Sequence, residues 1–292
     1  MKTYHIYSKG DVVLFRNKAD KIYFNNKFAA ICHSSSVEVL AFDILSTHFH
    51  GLVVVDDEKQ LECLTYALKK SYGLFYSKKY GFKIGGRFLI NYSQVIGKEN
   101  IREKLIYVMA NSVHHYVVDS PFKDQFSSVN YLFTQDYIPD IYRKALAAYV
   151  KRFDTVPARQ QRLILGRDKV PGHYLVDPEG FILPGSFVNV AKVRTYFNGN
   201  FKYLRYLIDT TLKGTDKESI DENKQAVRCD GLDDMLVCSD IDSYAKAVGR
   251  QSFHFLSESE MEELLKALKL KGIHDEQCRR CLWLQAAKHM TA

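Results

Sequence analysis

Two short stretches of the chain carry residue types that could do chemistry together. His48-Phe49-His50 lies between two apolar, β-rich runs, Val37 to Leu45 and Gly51 to Val55, which read as central strands of a sheet. Residues two apart on a strand point to the same face, so His48 and His50 project side by side while Phe49 enters the core. Two imidazoles presented in this way make half of a divalent-metal site. A bare His-x-His has a second reading, two unrelated histidines near a strand end, so the case for a site must come from elsewhere. It comes from Asn100 to Asn111, an amphipathic helix with Asn100 as its N-cap and Leu105, Val108 and Met109 as its apolar stripe. Tyr107 and Asn111 are four apart and share a face of that helix. A hydroxyl nucleophile and a carboxamide opposed to two strand histidines form a coherent set. His48, His50 and Asn111 could hold a divalent cation while Tyr107 attacks a phosphodiester that the cation polarises. Tyr107 alone would pass for a packing or surface residue, since the chain has 19 tyrosines.

At these residues the sequence resembles a known family. Tyr4 to about Phe133 is similar to the REP-associated tyrosine transposases, a branch of the single-tyrosine HUH (IS200-like) transposases that act on single-stranded DNA. His5-Ile6-Tyr7-Ser8-Lys9-Gly10 resembles the opening strand of that family, and Leu14-Phe15-Arg16 the segment after it. His48-Phe49-His50 with Gly51-Leu52 resembles the HUH motif. Tyr76 to Gly81 and then Gly86-Arg87-Phe88 resemble the basic aromatic stretch that follows. Tyr107-Val108-Met109-Ala110-Asn111-Ser112-Val113 resembles the Tyr-Ile-x-x-Asn-Pro-Val signature, and Phe126-Ser127-Ser128 the closing Trp-Ser-Ser. Ser112 stands where the pattern has proline and Phe126 where it has tryptophan, and neither is a proposed ligand or nucleophile.

The resemblance implies a ferredoxin-like antiparallel sheet with helices and a transposase-like endonuclease and strand transferase. It implies Tyr107 as nucleophile, His48, His50 and Asn111 as ligands of Mg²⁺ or Mn²⁺, and a 5′-phosphotyrosyl intermediate. The partner it implies is single-stranded or hairpin DNA, and a homodimer is compatible with it. Two other readings stand beside this one. The chain could be a domesticated DNA-binding protein of the same descent with weak or no nuclease activity. It could also be a metal-dependent hydrolase with water as nucleophile, which would need further His or Asp ligands.

Composition fits a polyanionic partner. The 292 residues carry a formal charge of +7, and 46% of them are hydrophobic, ample for real cores. Six scattered cysteines show no disulfide framework, and Cys278-Arg279-Arg280-Cys281 is a lone Cys-x-x-Cys read as helical packing. The chain shows neither a signal peptide nor a run of eighteen apolar residues, so the expectation is a soluble, cytoplasmic, nucleoid-associated bacterial protein without a membrane partner.

The organisation changes near residue 135. Before it lies an α+β unit, residues 1–135. It has a strand at about Thr3 to Ser8, a helix at about Asp20 to Ser34, two strands around the histidines, a helix at about Lys59 to Tyr80, a strand near Phe88 to Gln94, and the Tyr107 helix. After it, residues 136–292 read as a mostly helical accessory region. Asp140 to Phe153 predicts a helix, and Val170 to Phe187 a Pro/Gly-punctuated loop or hairpin. Val190 to Leu212 predicts helix broken at Asn198-Gly199-Asn200, and Lys213 to Glu222 a polar linker. Ser257 and Glu260 form a capping box, and Lys271-Gly272-Ile273 a turn before a helix bearing Arg279 and Arg280. At about residues 256–284 this is the outline of a helix-turn-helix, with a plain αα-hairpin as the equal alternative.

Lys69, Lys70, Tyr76, Lys78, Lys79 and Arg87 complete the candidate DNA contacts. Lys69 to Tyr80 interleaves cations for phosphates with rings for unpaired bases, although on a single helix half of those rings would pack inward. His114-His115 reads as surface or DNA-facing rather than as a metal element, because adjacent residues splay apart on a helix.

Overall fold

Four β-strands form the sheet that carries the histidines: β1 (Lys2–Ser8), β2 (Glu38–Ile44), β3 (Phe49–Val55) and β4 (Ile90–Val95). The computed structural model describes residues 1–8, 10–115, 117–132, 149–218 and 233–284. The strand order is β2-β3-β1-β4 and every pairing is antiparallel. With α1 (Lys18–Ser34) and α2 (Glu58–Tyr80) as crossovers, the chain runs βαββαβ, the ferredoxin-like topology expected from the sequence. Helix α3 (Lys98–His114) follows β4. It starts two residues before Asn100, with Gly97 as N-cap at φ 92°, while the Asn100 amide donates to the Ile96 carbonyl.

The two faces of the sheet differ. Phe49 packs against Phe24 and Phe28 of α1, and Tyr72 of α2 joins Phe15, Phe24 and Phe88 in the same aromatic core. α3 covers the opposite face and receives the side chain of His50. Alternation along β3 therefore assigns Phe49 to the core and His50 to α3, as the two-residue period requires.

The later elements include a short pairing of β5 (Lys151–Arg152) with β6 (Leu175–Val176), and an isolated bridge from Val176 to Ile182. Asp177 closes that hairpin by accepting from the Glu179 and Phe181 amides. Helices α4 (Ala158–Leu165), α5 (Val190–Tyr196), α6 (Phe201–Glu218), α7 (Asp234–Ala247), α8 (Glu258–Leu270) and α9 (Asp275–Leu282) complete the described chain. The break between α5 and α6 falls at Asn198 and Gly199, both at positive φ, as expected. α6 continues to Glu218, into the stretch expected to be a linker. Polar residues such as Lys and Glu propagate a helix as readily as they form a linker, so composition alone did not separate the two. Most of the helix expected at Asp140 to Phe153 lies outside the described residues, and its end is β5 and a single 3₁₀ turn at Phe153–Thr155. The boundary near 135 also lies outside them.

The accessory elements share their core with the sheet domain. Val188, Val193, Phe197, Leu204, Val237, Ile241, Leu268 and Trp283 are buried in one cluster with Ile6, Phe24 and Phe49. The tightest tie is Arg16, which is fully buried. Its guanidinium pairs with Asp242 of α7 at 2.7 Å, donates to the Cys281 carbonyl of α9 at 2.7 Å, and lies 4.1 Å from the centre of the Phe253 ring. A charge with this many partners can be buried without being orphaned. Among the described residues no helix is long and apolar enough to cross a membrane.

Candidate metal and nucleophile site

His48 sits immediately before β3, in the tight connection from β2 where the Leu45 amide donates to the His48 carbonyl. Thr47 Oγ1 contacts its Nδ1 at 2.8 Å. Gly10 approaches the same edge of the ring, and a Cβ there would lie 2.8 Å from Nδ1. On β3, His50 Nδ1 is 2.9 Å from Nε2 of His5, a β1 residue, and the two rings are nearly parallel at 4°. The His48 and His50 rings meet perpendicularly with centroids 5.1 Å apart. Each imidazole thus has its Nδ1 engaged by a neighbour and leaves Nε2 for another partner.

For His48 that partner is Asn111, whose carboxamide nitrogen lies 3.4 Å from Nε2. Which end of the amide faces His48 is an assignment, and a flip puts Oδ1 there instead. Behind Asn111 lies Asp43, the cross-strand partner of His50 on β2. Asp43 is fully buried, and neither oxygen makes a hydrogen bond of normal geometry. Burial first, and then Asp124, push its carboxyl well above the usual carboxylate range, while Lys21 and the Asn111 amide oppose that shift.

Tyr107 projects from α3 one turn before Asn111 and is about two-fifths exposed, at 39%. Its ring stands edge-on to His50, with centroids 5.4 Å apart, and to His5 at 5.9 Å. The Lys104 ammonium lies 4.5 Å from the centre of the same ring. Burial, followed by Tyr7, raises the phenol above its usual pKa, so the hydroxyl is protonated at neutral pH. The histidines shift the other way. Burial is the leading cause for all three, lowering His5 to about 4, His48 to about 3 and His50 to about 2. All three are therefore neutral at pH 7, the form that can donate a lone pair.

These donors fit a divalent cation. His48 Nε2 lies beside the Asn111 carboxamide and the His50 ring beside that of His48, so three protein donors would leave the remaining positions of a six-coordinate cation to water and substrate oxygens. Among the described residues no group of three or more His, Cys, Asp or Glu side chains is arranged to hold a metal ion, and the third donor of this set is an amide.

The remaining candidates separate. Lys69, Lys70 and Lys78 are exposed on α2, on the side of the sheet away from Tyr107. Lys79 pairs with Asp20 at 2.6 Å. Tyr76 is not available to stack on a base. It is fully buried, with its hydroxyl 3.1 Å from His254 Nε2 and its ring stacked on Trp283. Arg87 is exposed over the Trp283 ring at 5.2 Å. The capping box at Ser257 and Glu260 and the turn at Gly272 form as expected, but α9 does not present a free basic face. Arg280 is bound to Asp234 at 2.7 Å, Arg279 to Glu276 at 2.6 Å, and Cys278, Cys281 and Leu282 are buried. Asp275 and Glu276 open that helix, and acids at the tip of a recognition helix repel phosphates. The two helices and the turn between them form as the outline requires, with the buried side of α9 packed into the core.

Three residues at the site were not singled out from sequence as members: His5, Asp43 and His115. His115 is the C-cap that follows α3, and its ring lies 4.6 Å from that of His48. The signal available for His5 was its place in the opening strand, but only the pairing register shows that it reaches His50.

Comparison with known proteins adds little to these contacts. No protein-family model matches the chain, and no curated protein matches it. One solved structure that it resembles is a REP-associated tyrosine transposase bound to a REP hairpin, at 14% identity and a TM-score of 0.35, over 47% of this chain and 82% of that one. At that level of likeness only the side-chain arrangement can carry a reading of function.

Proposed function

We propose that the chain is a single-stranded DNA endonuclease and strand transferase that uses Tyr107 as nucleophile and a divalent metal, Mg²⁺ or Mn²⁺. One observation carries the reading: a partly exposed tyrosine stands against a pair of neutral histidines and a carboxamide, at the end of a sheet with a ferredoxin-like order. His48, His50 and Asn111 would hold the cation, which when bound would draw charge from the nonbridging oxygens of a phosphodiester.

This chain's own residues would do the rest. α3 would hold the Tyr107 hydroxyl toward the substrate from beside His50. The hydroxyl loses its proton and bonds to phosphorus, the bond from phosphorus to the 3′ oxygen breaks, and that oxygen takes up a proton. The products are a 5′-phosphotyrosyl link and a free 3′-OH. Attack by another 3′-OH reverses the sequence and joins a new strand. Lys104, over the Tyr107 ring, favours the phenolate that develops.

Incubation with hairpin-bearing single-stranded DNA and Mn²⁺ tests the reading. A protein–DNA adduct that survives denaturation and disappears with chelator is the expected result. Cleavage without any adduct would favour the hydrolase with water as nucleophile. Binding without cleavage would favour the domesticated DNA-binding protein.

A further inference from the structure

We infer that His5 is a positioning residue that sets which nitrogen of His50 is free to bind a cation, an inference that rests on the function proposed above. His5 lies on β1 opposite Leu52, and its diagonal neighbour across the strand pair is His50. The contact is a hydrogen bond of 2.9 Å between two buried rings that are nearly parallel, so one proton lies between His5 Nε2 and His50 Nδ1.

The position of that proton decides the chemistry. If it belongs to His50, the bond runs from His50 Nδ1–H to His5, and the His50 Nε2 lone pair is free. If it belongs to His5, the proton of His50 sits on Nε2 and the lone pair is lost. A cation on His50 Nε2 therefore requires His5 to accept. His5 is placed to accept: it is only 5% exposed, and its Nε2 lies 2.9 Å from His50 Nδ1. Tyr7, stacked on His5 at 5.0 Å, and Tyr107, edge-on at 5.9 Å, hold the ring in the plane the bond requires. Thr47 Oγ1 occupies the equivalent position on His48.

Two substitutions separate this role from mere packing. His5→Gln keeps an acceptor oxygen near the position of Nε2. His5→Val removes it while suiting the strand. Mn²⁺ alone is titrated calorimetrically into DNA-free protein, and the Mn²⁺ dependence of adduct formation is measured on the hairpin-bearing strand. His5→Val should weaken Mn²⁺ binding by about 10- to 100-fold, the usual effect of losing the partner of a ligating histidine. Its adduct rate should recover at saturating Mn²⁺, a split that general loss of structure does not produce. His5→Gln should stay close to wild type in both measurements.

His5→Val with wild-type Mn²⁺ affinity and metal dependence would overturn the inference and leave the proposed function intact. So would His5→Gln as defective as His5→Val. If His5→Val does not fold, by circular dichroism and melting, His5→Leu takes its place in the same comparison. A wild type that neither binds Mn²⁺ nor forms an adduct would overturn both the inference and the function beneath it.

Discussion

Tyr107 of α3 and His50 of β3 meet edge to face, with ring centroids 5.4 Å apart and planes at 89°. The contact joins two elements that are far apart in sequence, and it leaves the tyrosine ring partly exposed beside His50 rather than in the core. α6 packs along the rest of α3, so the accessory helices also support the placement of Tyr107. Each part of this arrangement has a consequence that can be measured.

The proposed ligands should not be equal. His48→Ala or His50→Ala removes an imidazole donor and should lower Mn²⁺-dependent adduct formation by orders of magnitude. Asn111→Ala should cost less, because a neutral amide is a weaker donor that water can replace. Initial rates across a Mn²⁺ series check this order. An Asn111 variant worse than both histidine variants would contradict the roles given.

Gly10 should be sensitive without touching substrate. Its Cβ position lies 2.8 Å from His48 Nδ1, closer than a Cβ can approach, and a tight 3.1 Å from Thr47 Oγ1. Gly10→Ala should therefore displace the His48 ring, raising the Mn²⁺ needed for half-maximal adduct formation while the melting temperature changes little. Parallel melting and metal-titration curves check it.

The accessory region should be inseparable from the sheet domain. Cutting the chain after Ser239 removes Asp242 and the Cys281 carbonyl, leaving Arg16 buried and unpaired. Orphaning a buried charge costs about 3–5 kcal/mol, a large share of the stability of an ordinary domain. The truncated protein should fail to fold, and Asp242→Ala in the full chain should melt well below wild type. Limited proteolysis and thermal melting check both.

Acid should weaken the packing around His254. Burial first, then Arg16 and Arg87, lower its pKa to about 3, and Tyr76 contacts its Nε2. The folded state thus binds fewer protons than the unfolded chain, where histidine titrates near 6.5. Its contribution is complete above about pH 6.5 and is lost progressively as pH falls toward 3. Between pH 7 and 5 the loss is of order 1 kcal/mol once partial exposure is allowed for. His254→Phe should unfold with a shallower pH dependence than wild type in denaturant titrations at the two pH values.

The sequence makes some of this legible and hides the rest for physical reasons. The spacing of Tyr107 and Asn111, the alternation through His48-Phe49-His50 and the order of strands and helices are local patterns, and each has its expected counterpart in the fold. His5 is 45 residues from His50, and Asp43 meets His50 only through the β2–β3 register. No local period encodes such contacts. Arg280 looked like a DNA contact because its acidic partner, Asp234, is 46 residues away. Tyr76 is a different case. Tyr72, Tyr76 and Tyr80 recur every four residues, which is already the stripe of a buried helix face. On a helix the interleaved lysines and tyrosines occupy different faces, the lysines outward and Tyr72, Tyr76 and Tyr80 inward.

The most direct measurement locates the covalent bond. Wild-type protein is reacted with hairpin-bearing single-stranded DNA and Mn²⁺, the adduct is digested with protease and nuclease, and the modified peptide is sequenced by mass spectrometry beside a Tyr107→Phe control. The expected result is a nucleotide remnant on the peptide containing Tyr107 and no adduct from the folded Phe variant. A remnant on any other residue, or an adduct of wild-type yield from Tyr107→Phe, would contradict the assignment of Tyr107 as the nucleophile.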